Sequence, residues 1–301
     1  MLKRLRPILL PIALAALPMM SSTTPAQPSP PTVFLNHFFV VIDPASYEAM
    51  QSDSYLATAF APFEKRTTVR NDNTYTGVYW YGRNTYFEVF EPPSQGPLGT
   101  SGIALSVDGD GQSAAVKALW TDSLGETQSS PVTRRTENGE PTWFQMTAGP
   151  MAGGLLRMWL MEYDREFLSR WYASLTPARG KTRGEVLDRY VAKIGKSGQR
   201  DTAVFGDVTR IVVALDDKER AMVSKHLVPV GWTAKEGGSA RHAAFRGPQG
   251  VTIEVVPASG NQRGIIEAEF SVQGEPKPHS SRLGSVWLTV EPTLARLRFV
   301  P

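Results

Sequence analysis

The chain has 301 residues, 41% of them hydrophobic, with 32 basic and 29 acidic side chains and no cysteine. The lack of cysteine excludes disulfide bonds, thiolate metal sites and a cysteine nucleophile, so the fold depends on its hydrophobic core. Lys3, Arg4 and Arg6 are the only charged residues before Asp43, and the rest of the chain is balanced at 29 charges of each sign, which argues against nucleic-acid binding.

The N-terminal segment has the three-part pattern of a secretory signal peptide. A basic start is followed by an apolar run from Ile8 to Met20 and then by small polar residues. The apolar run is shorter than the ~20 residues that a membrane-spanning helix needs. We therefore expect a signal peptide over residues 1–26, a disordered leader over 27–32, and an exported protein, periplasmic or secreted, with no stable membrane span after cleavage.

The segment after the leader is predicted to form a βαβββ unit. Residues 34–42 read FLNHFFVVI, and this aromatic and β-branched content favours a strand. A short helix with proline in its first turn follows at 44–51. Three further strands, separated by turn residues, are predicted at 66–70, 74–82 and 85–90.

The same order of elements is predicted a second time. A strand at 102–108 is followed by a helix at 111–120. The next three strands are predicted at 131–137, 141–147 and 155–163. Repetition of one supersecondary unit indicates tandem modules.

A helical linker is predicted over 164–204. Its clearest helix, from Thr182 to Ile194, begins with a Thr182/Glu185 capping box. One apolar stripe runs along this helix, formed by Val186, Leu187, Tyr190, Val191 and Ile194. We expect the stripe to pack between two domains, the alternatives being a partner-binding or a membrane-surface helix.

The remainder, 205–301, predicts a third βαβββ unit and a degraded fourth one. Elements of the third unit are a strand at 207–215, a helix at 217–227, and strands at 231–236, 240–246 and 251–257. Strands at 265–273, 285–291 and 295–301 follow without an obvious helix. The predicted fold class is α+β, with domains at 33–163 and 205–301.

Several segments resemble the vicinal oxygen chelate superfamily, which includes glyoxalases, extradiol dioxygenases and bleomycin-resistance proteins. The first two modules open on LNHFFVVID and GIALSVD, and FAPFEKRTTV and YWYGRNTYFEVFEP are similar to a glyoxalase-like domain family of unknown function. The resemblance covers 33–163 in sequence and 205–300 in topology alone. It implies that paired modules curl into half-open mixed-sheet barrels around a divalent metal.

The resemblance also implies a set of metal ligands. In the first module these are His37 on the opening strand and Glu88 on the fourth strand, and in the second module Glu162. Gly102 stands where the second module would have a histidine. Three imidazole and carboxylate ligands suit Zn, Ni, Mn or Fe and leave positions open for substrate. In the third module, Arg210 and Glu254 occupy the ligand positions, a pairing that favours a salt bridge.

Strand alternation gives an independent view of two of these residues. It puts His37 on one face with Leu35, Phe39 and Val41, and Glu88 on one face with Tyr86 and Phe90. An unpaired carboxylate on such an apolar face would cost several kcal/mol or take up a proton. Metal ligation is one solution. A direct His37–Glu88 hydrogen bond, or pairing with Arg83 or Arg157, is the other.

Two further motifs are weak matches to known sites. GDGQSA at 109–114 follows a strand and opens a helix, as a dinucleotide-binding loop does, but the strands after it do not form a parallel αβ succession. Asp108 and Asp110 are spaced as in a calcium loop, yet Leu119 stands where the bidentate glutamate is needed.

Two functions are consistent with these patterns. One is an exported glyoxalase-like protein that binds a small molecule and a divalent metal for lyase, isomerase or dioxygenase chemistry, with Glu88 and Glu162 as catalytic carboxylates. The other is a metal-free small-ligand binding or sequestering protein without catalysis, which the glycine at position 102 favours. A surface protein whose strands contact partners is a third possibility.

Overall fold

The described part of the chain consists of residues 30–151, 153–172, 181–235 and 242–300 of a computed structural model. The predicted signal peptide at 1–26 and residues 27–29 of the predicted leader lie outside these residues. No helix among the described residues is long and apolar enough to cross a membrane.

Two βαβββ units build the first sheet, as the sequence predicts. The first unit comprises β1 (Phe34–Val41), α1 (Pro44–Ser52), β2 (Phe63–Val69), β3 (Thr74–Tyr81) and β4 (Tyr86–Phe90), with one π-helical turn at Leu56–Phe60. The second unit comprises β5 (Ser101–Ser106), α2 (Ser113–Leu124), β6 (Gln128–Thr133), β7 (Thr142–Ala148) and β8 (Leu156–Tyr163). The strand order is β2-β3-β4-β1-β5-β8-β7-β6, with parallel β1–β4 and β5–β8 pairs bridged by the helical crossovers.

A linker of short helices leads to the second sheet. It contains α3 (Arg165–Ser169), α4 (Arg183–Lys193) and α5 (Ser197–Thr202). The predicted capping box at the start of α4 is confirmed, since Thr182 and Glu185 bond to each other's backbone N–H. Helix α4 therefore begins where the sequence predicts.

The second sheet repeats the strand order of the first. Its elements are β9 (Phe205–Leu215), α6 (Asp217–Leu227), β10 (Thr233–Ala234), β11 (Ala243–Arg246), β12 (Thr252–Pro257), β13 (Gly264–Val272), β14 (His279–Leu283), β15 (Val286–Val290) and β16 (Ala295–Phe299), with single 3-10 turns at Val228–Val230 and Pro248–Gly250. The order is β10-β11-β12-β9-β13-β16-β15-β14.

The fourth unit has lost its crossover helix, and the strand directions change as a result. β16 pairs antiparallel with β13, whereas the corresponding β8 pairs parallel with β5. Parallel neighbours need a long crossover, and a chain that returns without one must run the other way. The sequence did not predict β14, because its HSSRL segment has almost no apolar residues.

One hydrophobic core, the shared core, joins the two sheets. It contains the β1 residues Leu35, Phe38 and Val40 and the β9 residues Val208, Ile211 and Val213. Aromatic rings meet across the boundary, with the Phe87 and Phe270 centroids 5.5 Å apart and those of Phe60 and Phe205 5.7 Å apart.

Polar contacts fix the same boundary. The Asp207 carboxylate accepts hydrogen bonds from the backbone N–H groups of Asn84 and Thr85 at 2.6 and 2.8 Å. The Ser101 hydroxyl accepts one from the Ile265 N–H at 2.9 Å. Each sheet therefore has one face against the other sheet and one face turned away from it.

The cup face is the face of the first sheet turned away from the shared core. The sheet curls so far that its two edge strands touch, through a β-bridge between Arg70 and Arg134 and an Arg135 N–H to Val69 carbonyl hydrogen bond of 2.9 Å. The half-open barrel expected for a pair of modules is therefore present, with its edges in contact at one point.

The apolar stripe of α4 packs on the cup face. Its residues belong to one cluster with cup-face side chains, such as Tyr81, Trp143 and Phe144, and the Tyr81 and Tyr190 rings stack at 6.2 Å. The expectation that the stripe packs between two domains is therefore wrong. The inner wall of the cup is aromatic, and the apolar stripe of α4 is buried against it.

Candidate functional site

A β-bulge in β1 aims His37 into the cup. The pairing of β1 with β5 shifts by one residue between Leu35 and His37, which leaves Asn36 without a partner in the ladder. Leu35 consequently lies in the shared core, and His37 lies in the cavity on the cup face. The expectation that both share a face is wrong, because a bulge interrupts strand alternation.

The bulge also supplies the hydrogen bonds that orient the imidazole. His37 Nδ1 donates to the Asn36 side-chain oxygen at 2.8 Å, and the Asn36 amide donates to the Ser106 hydroxyl at 3.1 Å. All three side chains are buried. With its proton on Nδ1, the ring turns the lone pair of Nε2 toward Glu88, whose Oε1 is 3.7 Å away.

Aromatic rings enclose the imidazole on two sides. Tyr86 stacks on it with ring centroids 4.4 Å apart, and Trp159 meets it edge-on at 5.5 Å. Burial lowers the pKa of His37 to about 3, and the Arg70 guanidinium also lowers it. The imidazole is therefore neutral near pH 7.

Glu88 lies in the middle of β4, on the cup face. Its side chain is 7% exposed, and burial raises its pKa to about 7, against the lowering effects of Arg66, Tyr86 and Arg70. The carboxyl group of Glu88 is therefore partly protonated near pH 7, where it faces a neutral imidazole. The 3.7 Å separation of Nε2 and Oε1 is too long for a direct hydrogen bond. The pair thus keeps hydrogen-bonding capacity for a third group.

The two arginines considered as partners of this pair have different positions. Arg83 bonds to Gln273 at 2.6 Å and to Asp201 at 3.3 Å, at the boundary with the second sheet. Arg157 lines the same cavity as His37 and Glu88, and among the described residues no ion pair or hydrogen bond engages it.

Glu162, the third predicted ligand, lies away from the cavity. Its two carboxylate oxygens accept hydrogen bonds from the backbone N–H groups of Gly111 and Ser113, each at 2.6 Å, at the start of α2. Alternation in β8 sends Trp159 and Met161 into the cup and Glu162 to the helix side. The prediction that Glu162 joins His37 and Glu88 as a metal ligand and catalytic carboxylate is wrong on this geometry.

The GDGQSA motif has its explanation in the same contact. A loop that opens a helix presents free N–H groups and favours an anion. Here the anion is the carboxylate of Glu162, supplied by the chain itself. The resemblance to a dinucleotide-binding loop therefore reflects shared anion-binding geometry at a helix start.

Gly102 makes room for the aromatic wall of the cup. A Cβ atom at this position would lie 2.2 Å from Phe39 Cε1 and 2.7 Å from Trp159 Cζ3. The strand register shows which residue of the second module stands where Glu88 stands in the first. Glu88 comes two residues after the strand partner of His37. Trp159 comes two residues after Arg157, the strand partner of Gly102. The second module has exchanged both ligand positions for aromatic packing.

A cavity of about 420 Å³ opens on the cup face beside these residues. Its inner end holds His37 and Glu88. Its apolar walls come from residues on four strands and the loop after β7: Phe39, Tyr75, Phe144, Met146, Met151 and Trp159. Methionine and aromatic side chains give a wall that adapts to the shape of a ligand.

The donor set does not fit a resident divalent metal. The described residues contain no group of three or more His, Cys, Asp or Glu side chains that could hold one. The cavity offers one imidazole nitrogen and one carboxyl group with a raised pKa, short of the three protein ligands that catalytic sites use.

Sequence reasoning missed Asn36 and Ser106 as parts of the site. Asn36 had a usable signal, since a polar residue directly before the histidine breaks the apolar run of the opening strand. Ser106 joins the site through strand pairing, which short motifs do not show.

The corresponding face of the second sheet contains a salt-bridge cluster. Arg210 contacts Glu254 at 2.7 Å, Glu267 at 2.8 Å and Glu269 at 3.0 Å. Arg296 contacts Glu269 at 2.8 Å. The predicted Arg210–Glu254 salt bridge is confirmed.

The tandem βαβββ modules and their curled mixed sheets define a protein of the vicinal oxygen chelate fold. The chain belongs to the family of unknown function DUF5829, whose sequence profile matches residues 35–299. Both sheets lie within this match. A search of the curated proteins gave no match.

Solved structures with a similar outline have low sequence identity to this chain. A hypothetical protein from Staphylococcus aureus is 9% identical, with a TM-score of 0.48 over 88% of this chain and 98% of its own. The 2,3-dioxygenase LapB from Pseudomonas sp. KL28 is 12% identical, with a TM-score of 0.42 over 90% and 92%.

A third structure is the 2,2',3-trihydroxybiphenyl 1,2-dioxygenase from Sphingomonas wittichii strain RW1. It is 11% identical, with a TM-score of 0.43 over 87% of this chain and 86% of its own. Similarity at this level carries no argument about activity, so the function has to be inferred from the cavity itself.

Proposed function

We propose that this is an exported protein that binds a small, mainly apolar organic molecule in the cavity of the first sheet, without a resident metal. The observation that carries the proposal is the buried pair of His37 and Glu88, which face each other at the inner end of a cavity with aromatic and methionine walls. Apolar walls with a few convergent polar groups are the usual features of a small-molecule site.

The polar pair would select the ligand's functional group. His37 Nε2 accepts a hydrogen bond, and the carboxyl group of Glu88 donates when protonated and accepts when ionised. A ligand hydroxyl at this end would donate to His37 Nε2 and accept from the protonated carboxyl group of Glu88, whereas a carbonyl oxygen would accept from Glu88 alone. A ligand without such a group would leave buried polar atoms unpaired, which costs about 1–3 kcal/mol.

The binding function is preferred to metal-dependent catalysis because of the donor set. Glu162, the third ligand that catalysis would require, is engaged by the α2 N-terminus instead. A Lewis-acid step is therefore not part of the proposal.

Ligand binding can be tested with N-phenyl-1-naphthylamine, a neutral aromatic dye whose fluorescence rises in apolar sites. Ala148 lines the cavity near its rim, and Ala148→Trp should fill the space and weaken dye binding at least tenfold. Thr142 lies on the same strand outside the cavity, so Thr142→Trp is the matched control and should bind normally. Absence of dye binding to the unchanged protein would refute the proposed function.

Export rests on the N-terminal pattern alone. We expect expression in a secreting bacterial host to yield a product that begins near Gln27. Sequencing of its N-terminus after cell fractionation checks this. A cytoplasmic product that retains Met1 would remove export from the proposal and leave ligand binding untouched.

A further inference from the structure

Arg157 differs from the other arginines of the cup in having no partner among the residues that the structure describes. Arg66 is paired with Glu64, and Arg70 donates two hydrogen bonds to Asp72 at 2.7 and 2.6 Å. Arg134 donates to the Tyr190 hydroxyl at 3.0 Å. Within residues 30–151, 153–172, 181–235 and 242–300, Arg157 has neither an ion pair nor a hydrogen bond.

Its location makes this cation available to a ligand. Arg157 lines the cavity and is solvent-exposed, which puts it at the mouth, whereas Glu88 and His37 are buried at the inner end. Its neighbour on β5 is Gly102, which has no side chain that could pair with the guanidinium. A charged group of a bound ligand would therefore meet an uncompensated positive charge there.

The wall between the two ends is apolar. Trp159 follows Arg157 by two residues on the same face of β8, and it also contacts His37 edge-on. A flat molecule lying along Trp159 would reach from the guanidinium to the neutral pair. The cavity thus has three successive parts: a cation, an aromatic wall and a hydrogen-bonding pair of uncharged groups.

We propose that the natural ligand is a small organic monoanion, an aromatic or similarly flat acid, whose charged group binds Arg157 and whose far end carries a hydroxyl that donates to His37 and accepts from Glu88. This inference rests on the proposed binding function and names its ligand class. One free guanidinium matches one negative charge, through charge-assisted hydrogen bonds that suit a carboxylate or sulfonate. Arg70 and Asp72 also line the cavity, but they pair with each other and add no net charge.

The test compares two dyes that differ in one charged group. 8-Anilino-1-naphthalenesulfonate carries a sulfonate on the same ring system that N-phenyl-1-naphthylamine presents uncharged. Arg157→Gln should weaken the sulfonate dye about tenfold or more and leave the neutral dye within twofold. Arg157→Lys should recover part of the affinity. Added salt should weaken sulfonate binding to the unchanged protein and have little effect on Arg157→Gln.

Two controls locate the effect. Arg298→Gln removes an exposed arginine from the second sheet and should leave both dyes unchanged. Ala148→Trp should abolish binding of both dyes, which shows that the sulfonate dye occupies the cavity. Thermal melting of every variant confirms that it is folded.

The possible results separate the two proposals. Equal affinity of Arg157→Gln and the unchanged protein for the sulfonate dye would overturn the role of Arg157 and keep the binding site. An equal loss for both dyes would show a structural role and also overturn it. No binding of the neutral dye to the unchanged protein would overturn the proposed function itself.

Discussion

At equivalent strand positions of the two sheets, His37 and Glu88 correspond to Arg210 and Glu254. In the first sheet the register pairs Phe39 with Glu88, and in the second it pairs Val212 with Glu254. The first pair is buried, with a neutral imidazole and a carboxyl group whose pKa is raised to about 7, whereas the second belongs to a partly exposed cluster of ion pairs.

The surroundings explain this difference. The touching edges of the first sheet and the packing of α4 on its cup face leave His37 and Glu88 buried, where charge is costly. The face around Arg210 keeps contact with solvent, and its side chain is 29% exposed. The same backbone positions can therefore hold a buried imidazole and carboxyl group or a salt bridge, depending on what covers the sheet.

The largest expected effect is the pH dependence of the unfolding free energy that Glu88 causes. The pKa of Glu88 is raised from 4.5 to about 7 in the fold, so its protonated form favours folding most below pH 4.5 and loses that advantage as pH rises through about 7. Relative to Glu88→Gln, the unchanged protein should lose about 3 kcal/mol of unfolding free energy between pH 4 and pH 9. Urea unfolding at several pH values measures this.

The matched variant Glu254→Gln sharpens this result. It removes a carboxylate from an ion pair that is 31% exposed, and should cost at most ~1 kcal/mol near pH 7. If Glu254→Gln raised the unfolding free energy at pH 9 as much as Glu88→Gln does, the proposed difference between the two faces would be wrong.

A side chain at position 102 should crowd the aromatic wall of the cup. In Gly102→Ala the new methyl group meets Phe39 and Trp159, and overpacking of this kind costs about 2 kcal/mol. Because Trp159 is a cavity wall, the neutral dye should bind more weakly as well. Normal stability together with normal dye binding would show that both rings move aside freely.

Removal of Arg210 tests the other face. Arg210→Gln leaves Glu254, Glu267 and Glu269 close together with less positive charge, and should cost about 1–2 kcal/mol near neutral pH. Dye binding in the first sheet should stay unchanged, and a change there would indicate coupling through the shared core.

The smallest expected effect is that of a substitution at Glu162, which bonds to the start of α2 outside the cavity. Glu162→Gln removes the charge that holds the α2 N-terminus and should cost about 1 kcal/mol, measured by thermal melting. Dye affinity should be unaltered because the carboxylate lies outside the cavity. A large loss of affinity in this variant would return Glu162 to the binding site.

The sequence by itself determined the order of elements and several local features. Strand and helix periodicity predicted three βαβββ units, the missing fourth helix and the capping box at Thr182, because each depends on residues close in sequence. It also put an imidazole and a carboxylate at the two positions of the first module that now form the pair.

Tertiary structure decided which side chains meet. The bulge at Asn36, the turning of Glu162 toward α2 and the packing of α4 on the cup face all depend on pairing between segments far apart in sequence. Burial, which sets the pKa values of His37 and Glu88, is likewise a property of the assembled cup. A one-residue shift in pairing changes the face of a side chain, and that shift is invisible to a local pattern.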